Sequence, residues 1–269
     1  MIKFSVLLSV YAKEVAEHLD VALNSLALQT MPADEIIIVI DGEIPQVLHR
    51  VVDKWVSSLP IKTVYLPNNI GLGNALNIGL MHATYNLIAR MDSDDICLRD
   101  RFEKQIEYFS NFPETILLGG AITEFETSPR EGDRKRFTCS EHQDIVEYSI
   151  KRNPFNHMTM MFKKDFIIKA GSYQHHLFME DYNLWLRCIA NGAICHNLND
   201  VLVNARIGSG MLLRRRGFSY FISELQLLRV KFGIFPDSKF KILTFSFVRI
   251  ISRLLPVGFL SFIYTKIRS

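Results

Sequence analysis

Apolar residues follow two rhythms along this chain. Phe4 to Val10, Glu35 to Ile40, Ile61 to Leu66 and Tyr85 to Met91 are short runs of mostly apolar residues, as expected of strands buried on both faces. Between the runs the spacing changes to threes and fours. Val15, Leu19, Leu23 and Leu26 share one face of a helix over residues 12–29, ended by Thr30-Met31-Pro32. Val47, Val51, Val52, Trp55 and Val56 do the same over 45–57, and Leu72, Leu76 and Leu80 define a third helix. The resulting β-α-β-α-β-α-β order predicts an α/β fold with a parallel sheet and helices on both faces. Right-handed crossovers then place every strand's C-terminal end on one edge, where ligands bind in open α/β sheets. Tyr11, Asp41, Asn68 and Asp92 all follow strand ends, so this edge is the predicted site.

The second half is less regular. The pattern predicts a helix over 99–112, a strand from Ile116 to Ile122, a charged exposed loop from Ser128 to Arg136, and a strand from Met158 to Phe162. A short helix follows over 164–170. Leu184, Cys188 and Ile189 mark a longer helix that begins near Glu180-Asp181 and ends at Asn191-Gly192. Ile194 to Leu198 and Val201 to Ala205 read as two further strands. There is no internal repeat and no low-complexity linker.

The fourth strand ends in Asp92-Ser93-Asp94-Asp95. Adjacent carboxylates repel, and burying them unpaired is costly. A hard divalent cation, Mn²⁺ or Mg²⁺, is the simplest counter-charge, because such ions take carboxylate oxygens together with a substrate's phosphates. The competing reading is a solvated acidic turn that caps the next helix. A second acidic pair, Glu180-Asp181, opens a helix, where the helix partial charge favours acids whether or not they do chemistry. The Asn68 to Gly73 turn, with Gly71 at its centre, can approach phosphates at a helix start.

Charge is unevenly distributed. From Arg206 onward there are 12 Lys/Arg and 2 Asp/Glu, against 19 and 26 before it. No acid follows Asp237, and the last stretch mixes Phe, Ile and Leu with Lys239, Lys241, Arg249, Arg253, Lys266 and Arg268. This fits interfacial helices on anionic lipid, split by Pro256, in preference to nucleic acid, whose phosphates call for a more polar surface. Packing on the protein's own core is the competing reading. Arg206 and Arg214-Arg215-Arg216 fit either a diphosphate grip or a solvated basic loop. Cys97, Cys139, Cys188 and Cys195 have neither CxxC nor zinc spacing and read as free thiols. The N-terminal apolar patch is too short for a signal peptide, and no run reaches the length of a spanning helix.

Five blocks in order, SVLLSVYAKE, LNSLALQTMPADEIIIVIDGE, NNIGLGNALNIGL, ARMDSDD and MEDYNLWLR, resemble the inverting family 2 glycosyltransferases of the GT-A fold that build bacterial O-antigen and exopolysaccharide. The resemblance covers residues 3–230 and is closest to enzymes that add Glc or Gal in β-1,3 linkage to GlcNAc-diphosphoundecaprenol. It implies a GT-A domain over 1–230, in which residues 1–98 bind the nucleotide and residues 99–230 the acceptor, and a basic amphipathic tail over 231–269. It implies a UDP-sugar donor, a polyprenyl-diphosphate-GlcNAc acceptor, and a peripheral position on the cytoplasmic face of the inner membrane. By the same resemblance Tyr11 borders the base and Asp41 accepts a hydrogen bond from uracil. Asp92 holds the ribose and metal region, Asp94 ligates the metal, and Asp95 helps position the donor sugar. Asp181 is the general base with Glu180 beside it, and His157 lies near acceptor or metal. The chain departs from many relatives in lacking a proline in the first block and in reading Asp41-Gly42-Glu43 after the second strand. A nucleotidyltransferase that makes sugar nucleotides would carry a Gly-rich signature and an arginine near the N-terminus, and residues 4–13 have neither. A non-catalytic nucleotide-binding protein would not need both acid clusters.

Overall fold

The computed structural model describes residues 2–130, 133–208 and 217–254. The first half follows the sequence pattern closely. Strands β1 (Phe4–Val10), β2 (Glu35–Asp41), β3 (Ile61–Leu66) and β4 (Leu87–Arg90) alternate with helices α1 (Ala16–Ala27), α2 (Gln46–Val56) and α3 (Leu72–His82). The strands pair in parallel in the order β3-β2-β1-β4. Period-2 alternation divides their side chains between two cores. Val6, Leu8, Ile36 and Ile38 face α1, α2 and Phe102, while Leu7, Ile37 and Val39 face α3. Both sets are dry, which explains why the sequence shows unbroken apolar runs. Gly79 makes the second packing possible, because a Cβ there would lie 2.3 Å from Leu7 Cδ1 and 2.9 Å from Val39 Cγ2.

The chain reverses direction across the sheet between β1 and β4. That switch point is where crevices open at strand C-terminal ends, and it brings the segment after Val10 beside Asp92–Asp95.

The second half is mixed rather than parallel. After β5 (Ile96–Cys97) and α4 (Arg101–Asn111) come β6 (Leu117–Phe125), β7 (Arg134–Arg136), α5 (His142–Lys151), β8 (Met161–Lys163), α6 (Lys164–Lys169), α7 (Glu180–Ala190) and β9 (Cys195–Arg206). β8 joins β4 and β6 antiparallel, and β9 runs parallel to β6. Several expectations change here. The two strands expected at 194–205 are one strand, since register shifts between Gly120 and Ile122 absorb Asn199-Asp200 without ending it. The far end of the expected loop, Arg134–Arg136, is a strand on β6, and residues 157–159 are a 3-10 turn before β8.

Two helices complete the described chain, α8 (Phe218–Ile234) and α9 (Lys239–Leu254). α8 crosses residue 230, where the tail was expected to begin. It is tied to the core by Lys231, 1% exposed, whose Nζ donates to the Ile150 carbonyl and lies over the Tyr182 ring. Burial lowers its pKa to about 7. Arg249 of α9 donates from Nε and Nη2 to Glu224 Oε1 at 3.2 and 2.9 Å, and Glu224 is 2% exposed. Ile242 and Ser246 are buried on the same inner face, whereas Phe240, Leu243 and Phe247 point outward. The tail helix therefore packs on the protein along one side and presents an apolar stripe on the other. Arg214 to Arg216 and Pro256 lie outside the described residues. All four cysteines are free, and no helix among the described residues is long and apolar enough to cross a membrane.

Candidate functional site

The turn after β4 carries the acids. Asp92 is half-buried and forms an ion pair with Arg90, which is itself 2% exposed. Arg90 ends a strand of core residues and has Nε and Nη1 without partners. Burial opposes its charge, but Asp92 overrides this and keeps its pKa above the ordinary value. Asp94 is pushed up to about 6 by burial and then by Asp92. Asp95 is 2% exposed and also raised, by burial first and then by Asp92 and Asp94. Its Oδ1 accepts the Arg206 backbone N–H at 2.7 Å, while its Oδ2 has no partner.

Glu14, on the segment after β1, joins this group. Burial and the charge of Asp94 push it up to about 7, against a hydrogen bond from Ser93. Carboxylates that raise one another's pKa form a site that a cation would stabilise. Among the described residues there is no all-protein cage of three or more ligands. The donor set fits Mn²⁺ or Mg²⁺ bound by one or two carboxylates, with the remaining positions left to water and substrate phosphate.

The second acid pair opens α7. Asp181 Oδ1 accepts the Tyr182 N–H and Oδ2 accepts Asn153 Nδ2, both at 2.7 Å. Burial raises its pKa in spite of those bonds and of the positive charge of Arg90. Glu180 is likewise raised by burial. Arg90 thus lowers the pKa of Asp94 and Asp95 on one side and of Glu180 and Asp181 on the other. It is the cation common to both acid groups. His157 Nε2 meets the Tyr173 hydroxyl at 2.8 Å, and burial and Arg90 hold the imidazole neutral. Asn77 donates from Nδ2 to the Tyr173 carbonyl and accepts the Tyr173 N–H, which ties α3 to the segment before α7. Gly73 permits this approach, since a Cβ there would lie 3.3 Å from Tyr173 Cβ and 3.6 Å from Glu180 Cβ.

The remaining expected residues lie along the same edge with different commitments. Asp41 is 3% exposed, and its two oxygens accept the N–H groups of Ile70 and Gly71 at 2.7 and 3.1 Å. It shapes the 68–71 turn. Tyr11 and Asn68 are exposed at the edge. Arg206 donates from Nε to the Asp94 carbonyl and from Nη1 to the carbonyls of Glu126 and Thr127. Its guanidinium is engaged in bracing the acidic turn rather than projecting as a free grip. Sequence pattern alone did not single out Arg90, Glu14, Tyr173 or Asn153. Arg90 had a signal, a charge inside an apolar strand, and the other three had none.

A sequence model described as Glycosyl transferase family 2 matches residues 5–181, from β1 to the second acid pair. The chain belongs to glycosyl transferase family 2. As a family 2 glycosyltransferase it is an enzyme, and the matched span contains both acid groups. It is 47% identical over 265 residues to the amylovoran biosynthesis glycosyltransferase AmsE of Erwinia amylovora, covering 98% of this chain and 99% of AmsE. It is 37% identical over 270 residues to a UDP-Gal:alpha-D-GlcNAc-diphosphoundecaprenol beta-1,3-galactosyltransferase of Escherichia coli, covering 98% and 96%. The fold is shared with S. aureus TarS 1-349 in complex with UDP-GlcNAc, at a TM-score of 0.71 and 19% identity over 93% of this chain and 73% of that one. This family 2 glycosyltransferase spans 43% of a longer TarS chain.

Proposed function

We propose that this enzyme transfers a hexose, Glc or Gal, from a UDP-sugar to a lipid-diphosphate-linked GlcNAc, in β-1,3 linkage and with inversion, in the assembly of an O-antigen or exopolysaccharide repeat unit. The observation that carries the reading is the pair of carboxylate groups on one sheet edge, with buried Arg90 ion-paired to Asp92 and its charge felt at Asp181. The name of the Escherichia coli relative supplies the donor and acceptor classes, and that of AmsE a setting in amylovoran biosynthesis. Asp181 takes the proton from the acceptor hydroxyl. The hydroxyl oxygen then bonds to the anomeric carbon on the face opposite UDP, as the bond from that carbon to the diphosphate oxygen breaks. Asp92 and Asp94 would hold a divalent cation, which would supply Lewis-acid stabilisation of the departing diphosphate. Arg90 keeps Asp92 oriented and its charge favours ionised Asp181. Asp95 and Arg206 brace the turn that carries Asp94, and Tyr11, Asn68 and Gly71 border the nucleotide. The test is UDP release from a panel of UDP-sugars with and without GlcNAc-diphospholipid. Release that depends on that lipid with UDP-Glc or UDP-Gal supports the reading, and acceptor-independent turnover overturns it.

The membrane surface is the proposed second partner, at the cytoplasmic face of the inner membrane. Phe240, Leu243 and Phe247 are 84%, 50% and 65% exposed on one side of α9, on a segment whose formal charges are all positive. Such a stripe suits shallow insertion into anionic lipid. Replacing all three by serine is expected to move the protein from the membrane pellet to the supernatant. Unchanged pelleting excludes the stripe as the anchor, and release of the unaltered protein by salt alone shows charge without insertion.

A further inference from the structure

A cavity of about 260 Å³ lies between the first turn of α3 and the 174–180 segment. Its walls differ in chemistry. Glu180, beside the proposed base, lines it together with His175. Gly71 to Asn74 form another wall. These residues open α3, whose N-cap Gly71 gives no side-chain cap; the Gly71 N–H is taken by Asp41, and those of Leu72, Gly73 and Asn74 have no helical carbonyl to bond. The third kind of wall is apolar, made by Leu72, Leu177 and Phe178, each more than a third exposed.

Phe178 is the unusual residue. Its φ is +66°, a conformation that costs a bulky side chain on the order of 1–3 kcal/mol. No core burial offsets the strain, because the residue is 46% exposed. Its ring instead lies flat on Tyr220 of α8, with centroids 4.2 Å apart and planes 2° from parallel. The backbone is thus held in a strained turn that presents an aromatic platform at the cavity rim. Beyond it α8 exposes Phe218 and Ile222, four residues apart and so on one helical face.

We propose that this cavity and its Phe178–Tyr220 rim bind the lipid diphosphate of the acceptor, with the hydrocarbon leaving over Phe178 toward Phe218 and Ile222. The proposal rests on the acceptor class given above and assigns it a site. A sugar diphosphate with a hydrocarbon tail needs polar, anion-tolerant and apolar surfaces side by side, and the cavity supplies all three. Glu180 on its wall places the sugar end next to Asp181.

Farnesyl diphosphate is the probe, titrated against the full-length protein with UDP and Mn²⁺ saturating, so that the nucleotide edge is already filled. Inorganic diphosphate and farnesol are the two control ligands. Phe178→Gly removes the ring and suits the positive φ, so it is expected to fold, and Leu177→Ser is a second, independent rim change. Each is expected to weaken farnesyl diphosphate binding at least tenfold and leave inorganic diphosphate within twofold. Binding by both variants equal to the unaltered protein overturns the site, as does failure of the unaltered protein to bind the probe. Equal affinity for inorganic diphosphate shows an anion pocket without lipid recognition, and equal affinity for farnesol shows an apolar groove without diphosphate recognition. Either result overturns the proposal. Farnesyl diphosphate bound at the rim by a protein that transfers no sugar to GlcNAc-diphospholipid would sink the acceptor assignment and leave the site standing. Transfer with rim variants whose acceptor KM is unchanged would do the reverse.

Discussion

Asp181→Asn is expected to lower kcat for sugar transfer by roughly 10²–10⁴-fold, the range for loss of a general base. The amide keeps the carboxylate's shape but accepts a proton poorly at neutral pH. The dissociation constant for the UDP-sugar, measured directly with Mn²⁺, should change little, because Asp92 and Asp94 are untouched. Burial raises the Asp181 carboxyl, and a base must be ionised to act. Activity should therefore climb with pH through a limb that lies above the ordinary carboxylate range. That limb should vanish in the asparagine variant. Glu180→Gln should also reduce turnover. Near-normal transfer by Asp181→Asn would move the base to Glu180. Lost UDP-sugar affinity would instead place Asp181 in the donor site.

Asp94→Ala is expected to abolish transfer, and excess EDTA should silence the unaltered enzyme until Mn²⁺ or Mg²⁺ is restored. Asp94 sits among Glu14, Asp92 and Asp95, and burial, then the charge of Asp92, raises its pKa to about 6. Removing it leaves the remaining acids without the geometry to share a cation with a diphosphate. The informative measurement is Mn²⁺ affinity in the presence of UDP beside turnover. Full activity in excess EDTA would show that the leaving-group charge is offset without a divalent cation. Activity lost with Mn²⁺ affinity unchanged would assign Asp94 to the sugar rather than to the ion.

The sequence displayed the parallel N-terminal part almost completely, because its strands are buried on both sides and each is a mostly apolar run. The same reasoning failed where burial is less even. α5 offers only Ile145, Ser149 and Ile150 to the core, too few for a helical rhythm to stand out. β9 contains Asn199-Asp200, which reads as a turn, yet a bulge against Gly120 to Ile122 lets the strand continue. Of the site, both acid pairs were visible as residues but their link was not. Arg90 lay inside a strand judged by its apolar average. Tyr173 and Asn153 come from separate segments that only tertiary packing brings to His157 and Asp181. Asp41 was expected on the edge and Arg206 as a diphosphate grip or solvated loop, but no sequence pattern reports that their polar atoms are occupied by backbone groups.

The ion pair between partly exposed Arg249 and buried Glu224 has a mechanical consequence. Separating it strips Glu224 of its counter-charge, at a cost of up to about 3–5 kcal/mol, comparable to what a few apolar side chains gain on leaving water. α9 therefore cannot peel away from the enzyme cheaply to enter a bilayer. On the proposed membrane surface it would act as a fixed keel rather than a flexible tether, and the height of the proposed base and metal ligands above the lipid would be set by packed geometry. A polyprenyl acceptor would be met at one depth, so isoprene units beyond those that reach the rim should add little to recognition.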